Sequence, residues 1–199
     1  ASPRSARSRL TFAYVAACAL VVVAAWPGLR GSWVGDDFHM LESSRYGDWS
    51  EVFRVFSRHA GHYLGESIDP SMATPYRPVT MFTLLLTHVL VPEPWLHHAL
   101  SGLMHIATGG LLLYVLLCQP RSTRHPESRR VSLVLAALFL LHPVTVEAYV
   151  WINGRSDLVA GLCLAGFAVL LVQQRLSRGT RLILLAVVAF LGAASKVTF

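Results

Sequence analysis

The chain has 199 residues, of which 54% are hydrophobic and only 14% charged, where an ordinary soluble domain carries about a quarter charged residues. With a mean hydropathy of +0.50, this composition excludes a soluble globular domain and points to an all-α integral membrane protein. The net charge of +6 does not indicate nucleic acid as a partner, because the arginines sit in short segments beside apolar runs, where membrane topology accounts for them.

In chain order, Arg4, Arg7 and Arg9 precede the apolar run Leu10–Leu29, long enough to span a bilayer. Trp26-Pro27-Gly28 is a poor small-residue cleavage site, so this run reads as an uncleaved first span and not as a signal peptide. A polar loop follows that contains Asp36, Asp37, Glu42, Asp48, Glu51, Glu66 and Asp69. Within it, Trp49–Phe56 has the spacing of a short amphipathic helix, with Ser50 as the candidate cap. Pro78–Val91 is too short to cross and suits an interfacial or re-entrant helix. Trp95–Cys118 is long enough to cross despite His97, His98 and His105 in its first half. Two apolar runs, Val131–Leu141 and Leu158–Val172, flank the polar turn LHPVTVEAYVWINGRSDL, which gathers His142, Glu147, Asn153, Arg155 and Asp157. Pro143 removes a backbone donor and disfavours helical geometry at His142, which predicts a break there. A last run, Leu182–Ala194, ends at Ser195-Lys196.

The basic segments Ala1–Arg9, Gln119–Arg130 and Gln173–Arg181 all fall on the cytoplasmic side if the N-terminus is inside and Pro78–Val91 does not span. The expectation is therefore one module over residues 1–199, with spans near 10–29, 95–118, 131–150, 156–173 and 181–197 and an outer loop over 30–94. That loop, the 141–158 turn and Lys196, the chain's one lysine, then meet on the non-cytoplasmic side. The arginine bias favours a bacterial plasma membrane; in a eukaryote the counterpart is the endoplasmic reticulum.

Adjacent carboxylates such as Asp36 and Asp37 suit a general base with an orienting neighbour. They also suit a divalent cation, the only cofactor that the sequence brings to mind, or a solvated loop. Arg77, in Tyr76-Arg77-Pro78, is either a phosphate ligand or an interface anchor. Arg155 and Lys196 are candidates for a lipid phosphate beside a helix N-terminus; the blander alternative caps that helix with Ser156 or Asp157, lets Arg155 snorkel or pair with Glu147, and makes Lys196 an end-of-span anchor. His98 and His105, seven apart, share a helix face and suit interhelical hydrogen bonds better than metal. Three cysteines, widely separated in or at the ends of apolar runs, give neither a disulfide framework nor a metal spacing.

The sequence of features resembles the N-terminal part of GT-C-type polytopic glycosyltransferases, in particular the TMTC-like relatives of the protein O-mannosyltransferases. The residues that carry the likeness are Leu141-His142-Pro143-Val144, Glu147-Ala148, Gly154-Arg155 with Asp157-Leu158, and Ser195-Lys196, supported by Tyr76-Arg77-Pro78 and Asp36-Asp37. Thr145 and Val197 depart from the family's pattern. The resemblance implies inverting transfer of a sugar from a polyprenyl- or dolichyl-phosphate carrier to a protein or glycan hydroxyl. It makes Asp36 or Asp37 the base, with Arg77, His142, Glu147, Arg155, Asp157 and Lys196 as substrate and carrier-phosphate residues. Two other readings are a membrane scaffold that anchors downstream repeats, and a transporter of lipid-linked sugars.

Overall fold

The computed structural model describes residues 3–33, 37, 48–57, 76–119 and 126–196. Among them are eight α-helices and no strand: α1 (Pro3–Leu29), α2 (Trp49–Arg54), α3 (Pro78–Leu90), α4 (Pro94–Cys118), α5 (Pro126–Leu141), α6 (Pro143–Val150), α7 (Arg155–Val172) and α8 (Arg178–Ala193). A 3₁₀ turn, Ile152–Gly154, joins α6 to α7. Five helices open on proline, a residue whose fixed φ suits the first helical position and whose missing N–H is not needed there.

Two helical segments, Pro94–Cys118 and Ile152–Val172, are long and apolar enough to cross a membrane. The pair Glu127–Leu141 and Pro143–Val150 makes a third if its 53° bend lies within one span. Of the five expected spans, the last falls short by this measure. Helix α1 runs for 27 residues and holds the apolar stretch Thr11–Val23, whereas α8 has 16 residues, about 24 Å of rise against a hydrocarbon core of about 30 Å. As expected, α3 is short, at 13 residues.

The bend falls at the residue that the sequence singles out. Pro143 has no N–H to donate, and the next amide, Val144 N–H, donates to His142 Nδ1 (3.2 Å) instead of to the carbonyl of Leu140. That carbonyl accepts from His105 Nε2 of α4 (3.1 Å), so the group released by the break ties α5 to α4. The His105 ring also stacks on Tyr149 and packs against Phe139. The interhelical role expected for His105 is what the structure shows.

Helix α4 packs against α1, α5, α6 and α7, and α8 packs against α7. Close approach on α4 depends on Gly109 and Gly110. A Cβ on Gly109 would sit 2.5 Å from Leu140 Cδ2, and one on Gly110 would sit 3.0 Å from Tyr14 Oη. That hydroxyl donates to Ile106 O (2.7 Å). Buried Ala17, Val21, Leu140, Tyr149 and Leu158 form the cluster joining α1, α5, α6 and α7. A second cluster of Trp33, Val52, Val55, Met81, Leu84, Leu85 and Ile152 binds α2 and α3 to the 3₁₀ turn.

The cap of α2 is Asp48 rather than Ser50: its carboxylate accepts from the Ser50 amide (3.1 Å) and hydroxyl (2.8 Å). These bonds hold its pKa below the ordinary 3.8. We expect Gly109→Ala to destabilise the bundle by about 1–3 kcal/mol, because Leu140 is buried and its side chain is what the new methyl group meets. Gly102→Ala, where nothing lies within 4 Å, should be neutral or stabilising by up to about 1 kcal/mol. Unfolding midpoints of the two variants in one detergent check the pair.

Candidate functional site at one end of the bundle

Arg155 opens α7 and is 0% exposed. Its guanidinium is enclosed by groups of α3 and α4. Nη1 donates to Thr83 O and to Thr87 Oγ1, both at 3.1 Å. Nη2 donates to His97 O (2.9 Å) and to His97 Nδ1 (3.4 Å), and Nε donates to Ser101 Oγ (3.4 Å). Arginine only donates, so His97 Nδ1 is an acceptor and the neutral ring carries its proton on Nε2. Trp33 packs edge-on against both His97 and His88.

Asp37 is 1% exposed, and its Oδ1 accepts from the amide of Asn153 (3.0 Å) in the 3₁₀ turn. It also lies within electrostatic reach of the Arg155 guanidinium. The turn is held close to α6: a Cβ on Gly154 would meet Ala148 O at 3.0 Å. Asp36 lies outside the described residues.

A third segment arrives from the end of α8. Thr80 Oγ1 donates to Ser195 O (2.8 Å), and Val79 N–H donates to Ala194 O (3.4 Å), so the N-terminus of α3 abuts the C-terminus of α8. Lys196, next in sequence, forms a salt bridge with Asp157 in the first turn of α7. Arg77 stands at the N-cap of α3 with a buried Nε that has no hydrogen-bond partner.

A cavity of about 770 Å³ runs beside α7. Its lining extends from Asp157 to Leu171, about 21 Å of helix rise. Polar groups gather at one end, where Glu147, Thr145 and Asp157 lie, while Leu112, Phe167 and Leu171 line the rest. His105 and Thr108 also touch it, but His105 Nε2 is bonded to Leu140 O and the Thr108 hydroxyl donates to Met104 O.

The structure thus brings together Asp37, Asn153 and Arg155, and separately Asp157 with Lys196; Glu147 shares the cavity with Asp157. His142 stands apart as the cap of α6, beside a different furrow that Leu138 and Pro143 help to line. Neither Ser156 nor Asp157 caps α7, whose N-cap is Gly154 without a side-chain bond. Arg155 bonds to α3 and α4, not to Glu147, and no N–H of its guanidinium is left open for a phosphate. Among the described residues, no three side chains group to hold a metal ion. The sequence reading passed over Thr83, Thr87, His97 and Ser101 as partners of Arg155. Their signal is visible in hindsight: two polar pairs four apart, each on one face of an apolar helix.

The chain is similar to part of the TMTC protein O-mannosyl-transferases. Mouse TMTC1 is 28% identical over 149 residues, 74% of this chain and 15% of its own length. Drosophila Tmtc3 is 28% identical over 110 residues, 46% of this chain and 12% of its length. Mouse TMTC3 is 30% identical over 88 residues, 44% of this chain and 9% of its length. The chain therefore spans less than a sixth of each of these relatives. No protein-family model matches it, and no solved structure matches it.

Two predictions follow from the geometry. His142→Ala removes the ring nitrogen that accepts from Val144 N–H and should cost about 0.5–2 kcal/mol, with His142→Asn recovering most of it; unfolding midpoints read both. Burial lowers the pKa of His88 from 6.5. Its stabilising contribution is therefore complete above pH 6.5 and is lost as pH falls through the lower folded-state value. Unfolding measured against pH should show an acid-side slope that His88→Phe reduces.

Proposed function

We propose that this chain carries the base-bearing, donor-binding end of an integral membrane glycosyltransferase. In this reading a sugar passes from a polyprenyl- or dolichyl-phosphate carrier to a hydroxyl of a protein acceptor, on the non-cytoplasmic side, with inversion. The observation that carries the proposal is the meeting of three segments far apart in sequence. Asp37 is bonded to the turn before Arg155, Asp157 is paired with Lys196, and Ser195 accepts from Thr80. The N-in topology drawn from the basic segments supports the choice of side.

The chemistry divides among these groups. The acceptor oxygen attacks the anomeric carbon as its proton passes to a carboxylate, and the bond from that carbon to the phosphate oxygen breaks. Asp37 is enclosed and already accepts a backbone N–H, so contact with the acceptor falls to Asp36, with Asp37 fixing the segment that bears it. The leaving phosphate gains charge that pre-placed cations stabilise. Lys196, on the surface, and Arg77, half-buried at the start of α3, are the cations we assign to it. Glu147 offers an acceptor for sugar hydroxyls at the polar end of the cavity, and the apolar length beyond it accommodates a hydrocarbon chain. A divalent cation at Asp36 and Asp37 stands as an alternative electrophile. His142 takes a structural part, as the cap of α6.

The alternative of a transporter for lipid-linked sugars calls for polar groups near the bilayer midplane, whereas here they gather at one end of the bundle. In membranes containing the full-length protein, Asp36→Asn should lower transfer by about 10²–10⁴-fold while expression and insertion persist. Normal transfer by both Asp36→Asn and Asp37→Asn excludes the carboxylate base. Movement of the carrier across proteoliposomes without any acceptor favours the transporter instead.

A further inference from the structure

We infer that Arg155 is a positioning residue for the Asp36-Asp37 base, acting through the backbone turn before it and never touching the donor. The inference rests on the reading of that pair as the base, and it departs from the role of phosphate ligand that the sequence suggests for Arg155. A ligand for a phosphate needs free N–H groups at an accessible surface. Arg155 has neither: it is 0% exposed, and its five N–H contacts end on Thr83, Thr87, His97 and Ser101.

What the contacts do accomplish is to fix the start of α7 against α3 and α4 at once. The planar guanidinium presents its donors in a rigid fork, so the carbonyls of Thr83 and His97 and the hydroxyls of Thr87 and Ser101 define the place and tilt of residue 155. Two residues earlier, the amide of Asn153 holds Asp37 Oδ1 at 3.0 Å. Gly154, between them, has no room for a side chain against Ala148. The position of Asp37 is therefore set by a short, stiff path: α3 and α4 to the guanidinium, the guanidinium to the turn, the turn to the carboxylate. A second tie is electrostatic, since Asp37 lies within reach of the Arg155 charge.

The test uses the full-length protein in membranes, with polyprenyl-phosphate mannose as donor and a threonine-containing peptide as acceptor, and rates taken per folded molecule. Arg155→Gln should lower kcat by about 10²-fold, the scale of a 1 Å misplacement, with the donor KM unchanged. Arg155→Lys should recover part of the loss, because it restores the charge without the planar fork. In case neither variant folds, Thr87→Val combined with Ser101→Ala keeps the charge and removes two of its acceptors. This double variant should lower kcat by about tenfold, again with the donor KM unchanged. A raised donor KM with kcat preserved makes Arg155 a phosphate ligand and overturns the inference, as does an unchanged kcat in the double variant. Asp36→Asn and Asp37→Asn, run in parallel, separate the two ideas. Full transfer in both removes the base and with it any positioning role, while loss in either, beside an unchanged Arg155→Gln, removes the positioning role alone.

Discussion

A guanidinium with no exposed surface, set where α3, α4 and α7 meet, constrains everything at this end of the bundle. Taking such a charge out of water is unfavourable by several kcal/mol, even after the protein relaxes around it. The site offsets this with five contacts to oxygen and nitrogen acceptors and with a carboxylate nearby. An enclosed charge satisfied in this way tolerates few alternative arrangements, because losing one acceptor leaves a buried N–H unpaired. A set of apolar residues of equal volume could stabilise the same junction as well or better. It would not fix the orientation of the turn that carries the Asn153 amide.

The break at Pro143 is the second constraint, and it works by releasing backbone groups for use elsewhere. A continuous helix would spend Val144 N–H on the Leu140 carbonyl. Here His142 takes the amide and His105 takes the carbonyl, so two side chains on different helices are fixed by one missing hydrogen. The corner then faces Glu147 and Trp151 toward the cavity beside α7. The bent helix pair thus shapes one wall of a furrow that is polar at a single end.

The helical class, the break at Pro143, the short α3 and the convergence of the three polar segments were all legible in the sequence, because each rests on hydrophobic run length, on the chemistry of proline or on where the basic segments fall. The number of spans was less so. A run of apolar residues marks α8, but its 16 residues fall below what a crossing requires. The partner of Arg155 was not legible either. Glu147 looked like the natural counter-charge, lying eight residues earlier in the same polar stretch. The actual partners are mostly neutral oxygens on two other helices, and no local spacing rule connects residue 155 to residues 83 and 101. The same limit applies to caps. Asp48 and Ser50 are both good capping residues, and only the backbone conformation of Asp48 decides between them.

Lys196 and Arg155 differ in a way that bears on their chemistry. Lys196 pairs with Asp157 where both side chains are well exposed, 37% and 50%, and a pair of this kind contributes about 0–1 kcal/mol. The single charge of the proposed phosphodiester donor can therefore draw Lys196 away from Asp157 at little cost, and its attraction grows as the phosphate leaves. Removing any partner from Arg155 instead exposes the full desolvation of a buried charge, about 1–3 kcal/mol for each unsatisfied group. Arg155 cannot exchange partners during a reaction cycle without disturbing α3 and α4. A weakly held cation at the surface and a tightly held one beneath it are thus suited to different tasks, the first to meeting a substrate and the second to keeping the machinery in place.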